Sequence, residues 1–239
     1  MKIQAKTTKN YQQKTDCLVV ALKPLKKISS QCAELNSLID GAIARLQDSG
    51  QFEAKRGEVA NLMVPQGVGA KQIVLIGVGE SKLDTEAVRE LLGGLARKLK
   101  VLKVNEASFD LDAVVSKSSV ETVGRHLVEA LGDTRYQYIK SPKSARGVKA
   151  SKEFKATVWT EDRKSLGAIK KAMSIGNAID NGKTLAKDLA NSPGNVCTPS
   201  FLANQAKKLA KSHGLKVKVL SEKDMNDLGM GSLLSLIHI

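Results

Sequence analysis

The chain has 239 residues, of which 42% are hydrophobic and only 3% aromatic, and its formal net charge is +14. This length holds one large or two small domains with a mainly aliphatic core. The chain has three cysteines, Cys17, Cys32 and Cys197. An odd number without Cys-x-x-Cys spacing argues against a disulfide framework and a structural zinc site. The first apolar run, residues 17–22, is too short for a membrane span or a signal-peptide core, so we expect a cytoplasmic protein.

The positive charge is concentrated in the middle of the chain, because residues 140–187 hold 12 Lys and Arg against 4 Asp and Glu. Clustered basic side chains favour phosphates through counterion release, so a DNA contact is one interpretation. A solvated loop is the other, and the absence of interleaved aromatic residues favours it. Six basic residues recur there at every third position: Lys140, Lys143, Arg146, Lys149, Lys152 and Lys155.

Strand-like and helix-like segments alternate over residues 1–163, which predicts a three-layer α/β domain. Continuous apolar runs such as 17–22 and 73–76 are typical of strands covered on both faces. Helices are predicted over about 32–46, 85–99 and 120–131, and an exposed loop over 132–148. The predicted strands are Ile3–Thr7, Cys17–Leu22, Glu58–Val64, Gln72–Val78, Ala107–Leu111 and Phe154–Thr160.

The helix beginning near Thr85, which we predict as its cap, has the clearest amphipathic spacing. Farther along, helices are predicted over about 165–190 and 200–212, the latter ending at Gly214, followed by a strand at 215–220 and a helical turn at 222–228. The apolar positions of the first helix are Ala87, Val88, Leu91, Leu92, Leu95, Ala96 and Leu99.

Residues 185–203 form the most specific motif of the chain. Pro193 cannot continue the preceding helix, and Gly194 and Asn195 tolerate turn conformations. Thr198 followed by Pro199 predicts an N-cap with proline at the first helical position. The motif therefore predicts a helix end, a tight loop and a new helix.

This string resembles the segment that joins the two domains of the leucyl (cytosol) aminopeptidase family. Gln72–Gly79, Tyr136–Ser141 and Leu228–Leu233 are similar to further family segments. The resemblance implies an N-terminal domain over 1–163 similar to macro domains, an interdomain helix and loop over 164–194, and an incomplete start of a second α/β domain over 195–239. The matching motif positions, with a structural role, are Leu189, Asn191, Pro193, Asn195, Thr198, Pro199, Leu202 and Ala203.

The family resemblance implies a cytoplasmic enzyme that removes N-terminal residues such as leucine from peptides, using two divalent metal ions, manganese or zinc, in a homohexamer. Its Lys-Gly…Phe-Asp-Ser-Gly-Gly and Asn-Thr-Asp-Ala-Glu-Gly-Arg segments do not occur here. We therefore assign no catalytic, metal or substrate-binding residue and expect the chain alone to be inactive. Residues 234–239 look like a translated sequencing adapter, and we interpret the frame as truncated. We expect residues after about 195 to pack poorly and to expose Phe201, Leu202 and Leu209.

Two binding functions remain as alternatives, namely a DNA-binding accessory module and a macro-like binder of nucleotides or ADP-ribose. Gly77-Val78-Gly79 follows a strand, but Lys82 stands where a dinucleotide fingerprint needs its third glycine. We therefore interpret this segment as a plain strand-to-helix turn. The macro-like alternative rests on fold analogy, and fold does not imply function.

The remaining polar candidates stand alone in the sequence. His126 and His213 have no ligand-spaced partner, so surface or capping roles are expected. Cys197 has no histidine nearby to activate it, so we interpret it as a bystander without a catalytic role. The acidic cluster of Glu222, Asp224 and Asp227 is explained by the dipole of a short helix better than by metal binding: Glu222 and Asp224 fall in its first turn.

Overall fold

The computed structural model describes residues 1–24, 30–63, 66–138, 153–160 and 162–235. The chain divides into two compact units, residues 1–186 and residues 187–239. Five of the six basic residues with threefold spacing, at 140–152, lie outside the described residues, as do residues 236–239.

The first unit is built on a six-stranded sheet with the strand order β1-β6-β5-β2-β4-β3. All neighbouring strands are parallel except β3, which pairs antiparallel with β4. All six predicted strands are present within two residues of their predicted bounds. The strands are β1 (Lys2–Lys6), β2 (Cys17–Leu22), β3 (Val59–Met63), β4 (Gln72–Gly77), β5 (Glu106–Asp110) and β6 (Lys155–Trp159).

Helices cover both faces of the sheet, so the predicted three-layer α/β architecture is confirmed. Side chains alternate along β2: Cys17, Val19 and Ala21 enter one apolar core, and the other three strand residues enter a second. The first core lies under α3, α5 and α6, the second under α1 and α2. The helices of this unit are α1 (Ser30–Leu38), α2 (Ala42–Asp48), α3 (Thr85–Val101), α4 (Asp112–Val115), α5 (Val120–Arg135) and α6 (Arg163–Ala190), the last of which runs on into the second unit.

Three helix boundaries differ from the sequence predictions. The single helix predicted over 32–46 is two, because Asp40 and Gly41 adopt left-handed conformations with φ of 53° and 71°. Asp84, not Thr85, caps α3, and its carboxylate accepts a hydrogen bond from the Ala87 N–H at 2.8 Å. Residues 132–135 extend α5 instead of beginning a loop. All seven apolar positions predicted for α3 are buried.

Glycines let α6 approach α5 closely. A Cβ atom at Gly176 would lie 2.6 Å from the Arg125 carbonyl oxygen, and one at Gly124 would lie 2.9 Å from the Ala172 Cβ. A side chain at Gly132 would overlap the Asp180 carboxylate. Backbone contact of this kind fixes where the first part of α6 lies on the N-terminal domain.

The second unit has α7 (Pro199–His213), α8 (Glu222–Asp227) and α9 (Gly231–Leu234), and none of its described residues is buried. The predicted strand at 215–220 is wrong: this segment has no regular secondary structure and pairs with no strand in the described part of the chain. A strand is stable only beside a neighbour that completes its hydrogen bonds. Leu202 is exposed as predicted, whereas Phe201 and Leu209 are partly buried, so the prediction that they are exposed is only partly met.

Candidate functional site

The eight motif residues span the end of α6, the loop after it and the start of α7, and local hydrogen bonds hold the loop. The Asn191 side-chain amide donates to the Lys187 carbonyl at 2.8 Å, and the Ser192 hydroxyl donates to the Asp188 carbonyl at 2.7 Å. These bonds satisfy carbonyl groups that the end of α6 would leave without a partner. Leu189 precedes them in the last turn of the helix.

The second half of this loop starts the next helix as predicted. The Pro193 carbonyl accepts bonds from the N–H groups of residues 196 and 197, at 2.8 and 2.9 Å. The Thr198 hydroxyl accepts a bond from the Phe201 N–H at 3.3 Å, and Pro199 is the first residue of α7. Asn195 lies in the turn, and Leu202 and Ala203 lie in the first turns of α7. The motif residues thus end α6, form the loop and start α7.

Sequence analysis missed a buried charge cluster at the carboxyl-terminal edge of the sheet. The Lys9 ammonium lies 2.9 Å from an Asp110 carboxylate oxygen and 3.0 Å from an Asp112 oxygen. The exposed fractions of the Lys9 and Asp110 side chains are only 9% and 7%. Beside the cluster, Tyr11 contacts the buried Trp159 ring edge to face. The one visible clue was an aspartate at the end of a buried strand.

Burial and ion pairing oppose each other in this cluster. Burial alone would lower the pKa of the Lys9 ammonium, but the two carboxylates raise it above its ordinary value. Burial raises the pKa of the Asp110 carboxyl, and the Lys9 charge opposes that shift. Burial and the nearby Asp110 charge also raise the pKa of the Tyr11 hydroxyl. Because the Lys9 ammonium pairs with both carboxylates, the cluster holds the loop after β1 against the end of β5.

Gly77-Val78-Gly79 makes a plain strand-to-helix turn, as predicted. Gly77 packs on the backbone of residues 54 and 55, where a Cβ atom would lie 2.2 Å from the Lys55 carbonyl oxygen. Gly79 has a φ of 71°, which favours glycine. Both glycines are therefore explained by the local chain path.

His126 is buried, with 5% of its surface exposed, so the prediction of a surface or capping role is wrong. The reason is its place on the packed face of α5, three residues after Val123. Its Nε2 lies 2.9 Å from an Arg125 guanidinium nitrogen, which can only donate, and its Nδ1 lies 3.6 Å from a Glu129 oxygen. Burial and the Arg125 charge lower the pKa of the imidazole, so it is neutral at pH 7.

His213 and Asp224 lie at helix ends as predicted, whereas the interpretation of Cys197 stays a prediction. His213 is exposed in the last turn of α7, where a basic side chain interacts favourably with the negative end of the helix dipole. Asp224 belongs to a capping box with Ser221, and its bonds to Ser221 hold the pKa of the carboxyl below its ordinary value. Cys197 is partly exposed in the loop before α7.

The described residues contain no group of three or more His, Cys, Asp or Glu side chains that could hold a metal ion. The carboxylates of the buried Asp110 and the partly buried Asp112 pair with Lys9 rather than gather around an open space. In the described part of the chain, no helix is long and apolar enough to cross a membrane.

Two family models match the chain. The N-terminal domain of the cytosol aminopeptidase family matches residues 18–143, and the catalytic domain of the same family matches residues 184–238. Probable cytosol aminopeptidases of Paraburkholderia phymatum and Burkholderia cenocepacia are each 32% identical over 225 residues, covering 93% of this chain and 44% of the relative. The chain belongs to the cytosol aminopeptidase family, and it spans less than half the length of these relatives.

Solved structures agree on the fold. A mutant of tomato leucine aminopeptidase superposes with a TM-score of 0.73 at 20% identity, covering 96% of this chain and 46% of the other. The bottromycin maturation enzyme BotP in complex with Mn superposes with a TM-score of 0.62 at 17% identity, covering 90% of this chain and 40% of the other.

Proposed function

We propose that this chain is part of a cytoplasmic metalloaminopeptidase that releases N-terminal amino acids, such as leucine, from peptides. The observation that carries the proposal is the order of the two family matches: the N-terminal domain ends before α6, and the catalytic domain begins at residue 184 within it. The names of the relatives, probable cytosol aminopeptidases, support peptides as substrates and the cytoplasm as the compartment.

Two divalent metal ions, manganese or zinc, would serve the whole enzyme, but the described residues do not fit such a centre. A two-metal site needs several carboxylates around one open space. The carboxylates of Asp110 and Asp112 instead pair with the Lys9 ammonium. No group of three side chains that could hold a metal ion comes together among the described residues. We therefore assign no catalytic step to the described residues and expect the chain alone to be inactive.

The described residues contribute by positioning the interdomain helix and the helix that follows it. The glycine contacts between α5 and α6 fix the start of the interdomain helix, and the loop at 191–198 then sets where α7 begins. We further propose that the whole enzyme is a homohexamer, since the family resemblance implies it.

The gene itself tests the proposal. We would amplify source DNA and sequence it beyond the codon for Leu233. We expect the reading frame to continue into the Lys-Gly…Phe-Asp-Ser-Gly-Gly and Asn-Thr-Asp-Ala-Glu-Gly-Arg segments of the family. A stop codon directly after the codon for Ile239 in source DNA would overturn the proposal and leave a binding function as the better account.

A further inference from the structure

A cleft of about 610 Å³ lies between α3, α5 and Lys183 in the second half of α6. We call it the helix cleft. This volume lies in the range of small-molecule sites in proteins. Six of the residues that line it are Arg89, Gly93 and Arg97 of α3, His126 and Asp133 of α5, and Lys183 of α6.

Two consecutive glycines in the middle of α3 call for an explanation. Each glycine in a helix interior costs about 1 kcal/mol relative to alanine. Nothing crowds Gly93 or Gly94: the one atom group within 4 Å of an added Cβ is the Arg97 guanidinium, at 3.5 and 3.9 Å, which is ordinary contact. Close packing does not account for these glycines, as it does for Gly176. What Gly93 does provide is space in the helix cleft, with the Arg97 guanidinium folded back over it.

The charges of the helix cleft are unequally matched. Asp133 pairs with Lys183, and Glu129 pairs with Arg125. Among the described residues, Arg89 and Arg97 form no ion pair, and both are exposed. Glu86 and Glu90 line the amino-terminal part of α3, whereas Arg97 lies beyond Gly93, toward the other end of that helix. Lys183 is already paired with Asp133, so the part of the cleft around Gly93 and Arg97 is the part suited to negative charge.

We propose that the helix cleft binds a small anion carrying phosphate or carboxylate groups, with the Arg97 guanidinium as its main contact and Arg89 as a second. Guanidinium groups pair with both kinds of oxyanion through two parallel hydrogen bonds. Gly93 leaves room for the anion beside the helix backbone. The neutral His126 forms a rigid wall held by Arg125 and Glu129. This site lies in the first unit of the chain and does not depend on peptide hydrolysis.

Isothermal titration calorimetry of the full chain tests the proposal, with inorganic phosphate, pyrophosphate and citrate as separate probes. We expect saturable binding of at least one probe, weakened about tenfold by Arg97→Gln and less by Arg89→Gln. Arg45→Gln on α2 is the matched control, because it removes the same charge from an exposed arginine outside the cleft and should leave binding unchanged. Preference for pyrophosphate or for citrate distinguishes a phosphate ligand from a carboxylate ligand.

Gly93→Ala separates the ligand role from folding. Alanine should raise the melting temperature of the chain, because it favours the helix and meets no close atom, yet it should weaken anion binding by narrowing the cleft. The absence of saturable binding for all three probes would overturn the proposal. Equal weakening by Arg97→Gln and Arg45→Gln would do so too, since it would indicate general attraction to a basic protein.

Discussion

Asp16 joins two strands at the amino-terminal edge of the sheet. One carboxylate oxygen accepts bonds from the backbone N–H groups of Asn105 and Glu106, at 3.1 and 3.2 Å, and the other accepts a bond from Lys71 at 2.7 Å. Partial burial opposes ionisation, but the Lys71 and backbone bonds outweigh it and hold the pKa of Asp16 below its ordinary value of 3.8. The ionised carboxylate therefore stabilises the start of β2 against β5.

We predict that Asp16→Asn lowers the free energy of unfolding at pH 7 by about 1 kcal/mol, a modest value because Lys71 is exposed. A lowered pKa in the folded state contributes stability above the unfolded-state pKa, which is lost as the pH falls through the folded-state pKa. The difference between wild type and variant should thus shrink below about pH 4. Urea unfolding at pH 7 and pH 3 measures it. Asp48→Asn, on an exposed position of α2, is the control, and an undiminished difference at pH 3 would contradict the assignment.

Lys9 should matter far more, because its removal leaves two carboxylates facing each other with little solvent. We predict that Lys9→Met lowers the free energy of unfolding by about 3 kcal/mol. Lys6→Met, at an exposed position of β1, should change it by less than about 0.5 kcal/mol. Chemical denaturation of both variants checks this. Similar small losses in the free energy of unfolding would show that the charge cluster does not stabilise the fold.

Among the elements, those with strong periodicity were predictable from sequence and those fixed by contacts were not. The apolar spacing of α3 gave its buried face residue by residue, and the Thr198–Pro199 pair gave the start of α7. The strand predicted at 215–220 was wrong, because alternation alone cannot supply the neighbouring strand. The charge cluster was not predictable, because Lys9 is about 100 residues from Asp110 and Asp112 in the sequence. Only the tertiary fold brings these side chains together.

The contact between α5 and α6 gives an element-scale prediction. Gly176→Ala places a Cβ atom against the Arg125 carbonyl, so we expect a net loss of about 1–2 kcal/mol in the free energy of unfolding despite better helix propensity. Gly167→Ala in the same helix meets nothing within 4 Å and should raise it by about 0.5–1 kcal/mol. Thermal unfolding of the two variants provides the comparison. Stabilisation by both would mean that α6 does not rest closely on α5.

At the scale of the whole molecule, the two units differ in how much they bury. The first has two apolar cores, whereas no described residue of the second is buried, and Leu215, Val217 and Val219 are 42–60% exposed. We predict that limited proteolysis cuts within 195–235 well before it cuts the sheet of residues 1–160. Mass spectrometry of the first fragments would identify the sites. Equal protection of both regions would contradict the predicted poor packing of the second unit.

We propose that this member of the cytosol aminopeptidase family contributes a folded N-terminal domain and an interdomain connection, and that hydrolysis requires residues other than those described. The most direct measurement is release of p-nitroaniline from leucyl p-nitroanilide by the purified chain, with manganese or zinc added. We expect no release of p-nitroaniline above a metal-only blank. Metal-dependent release that is abolished by a chelator would contradict it.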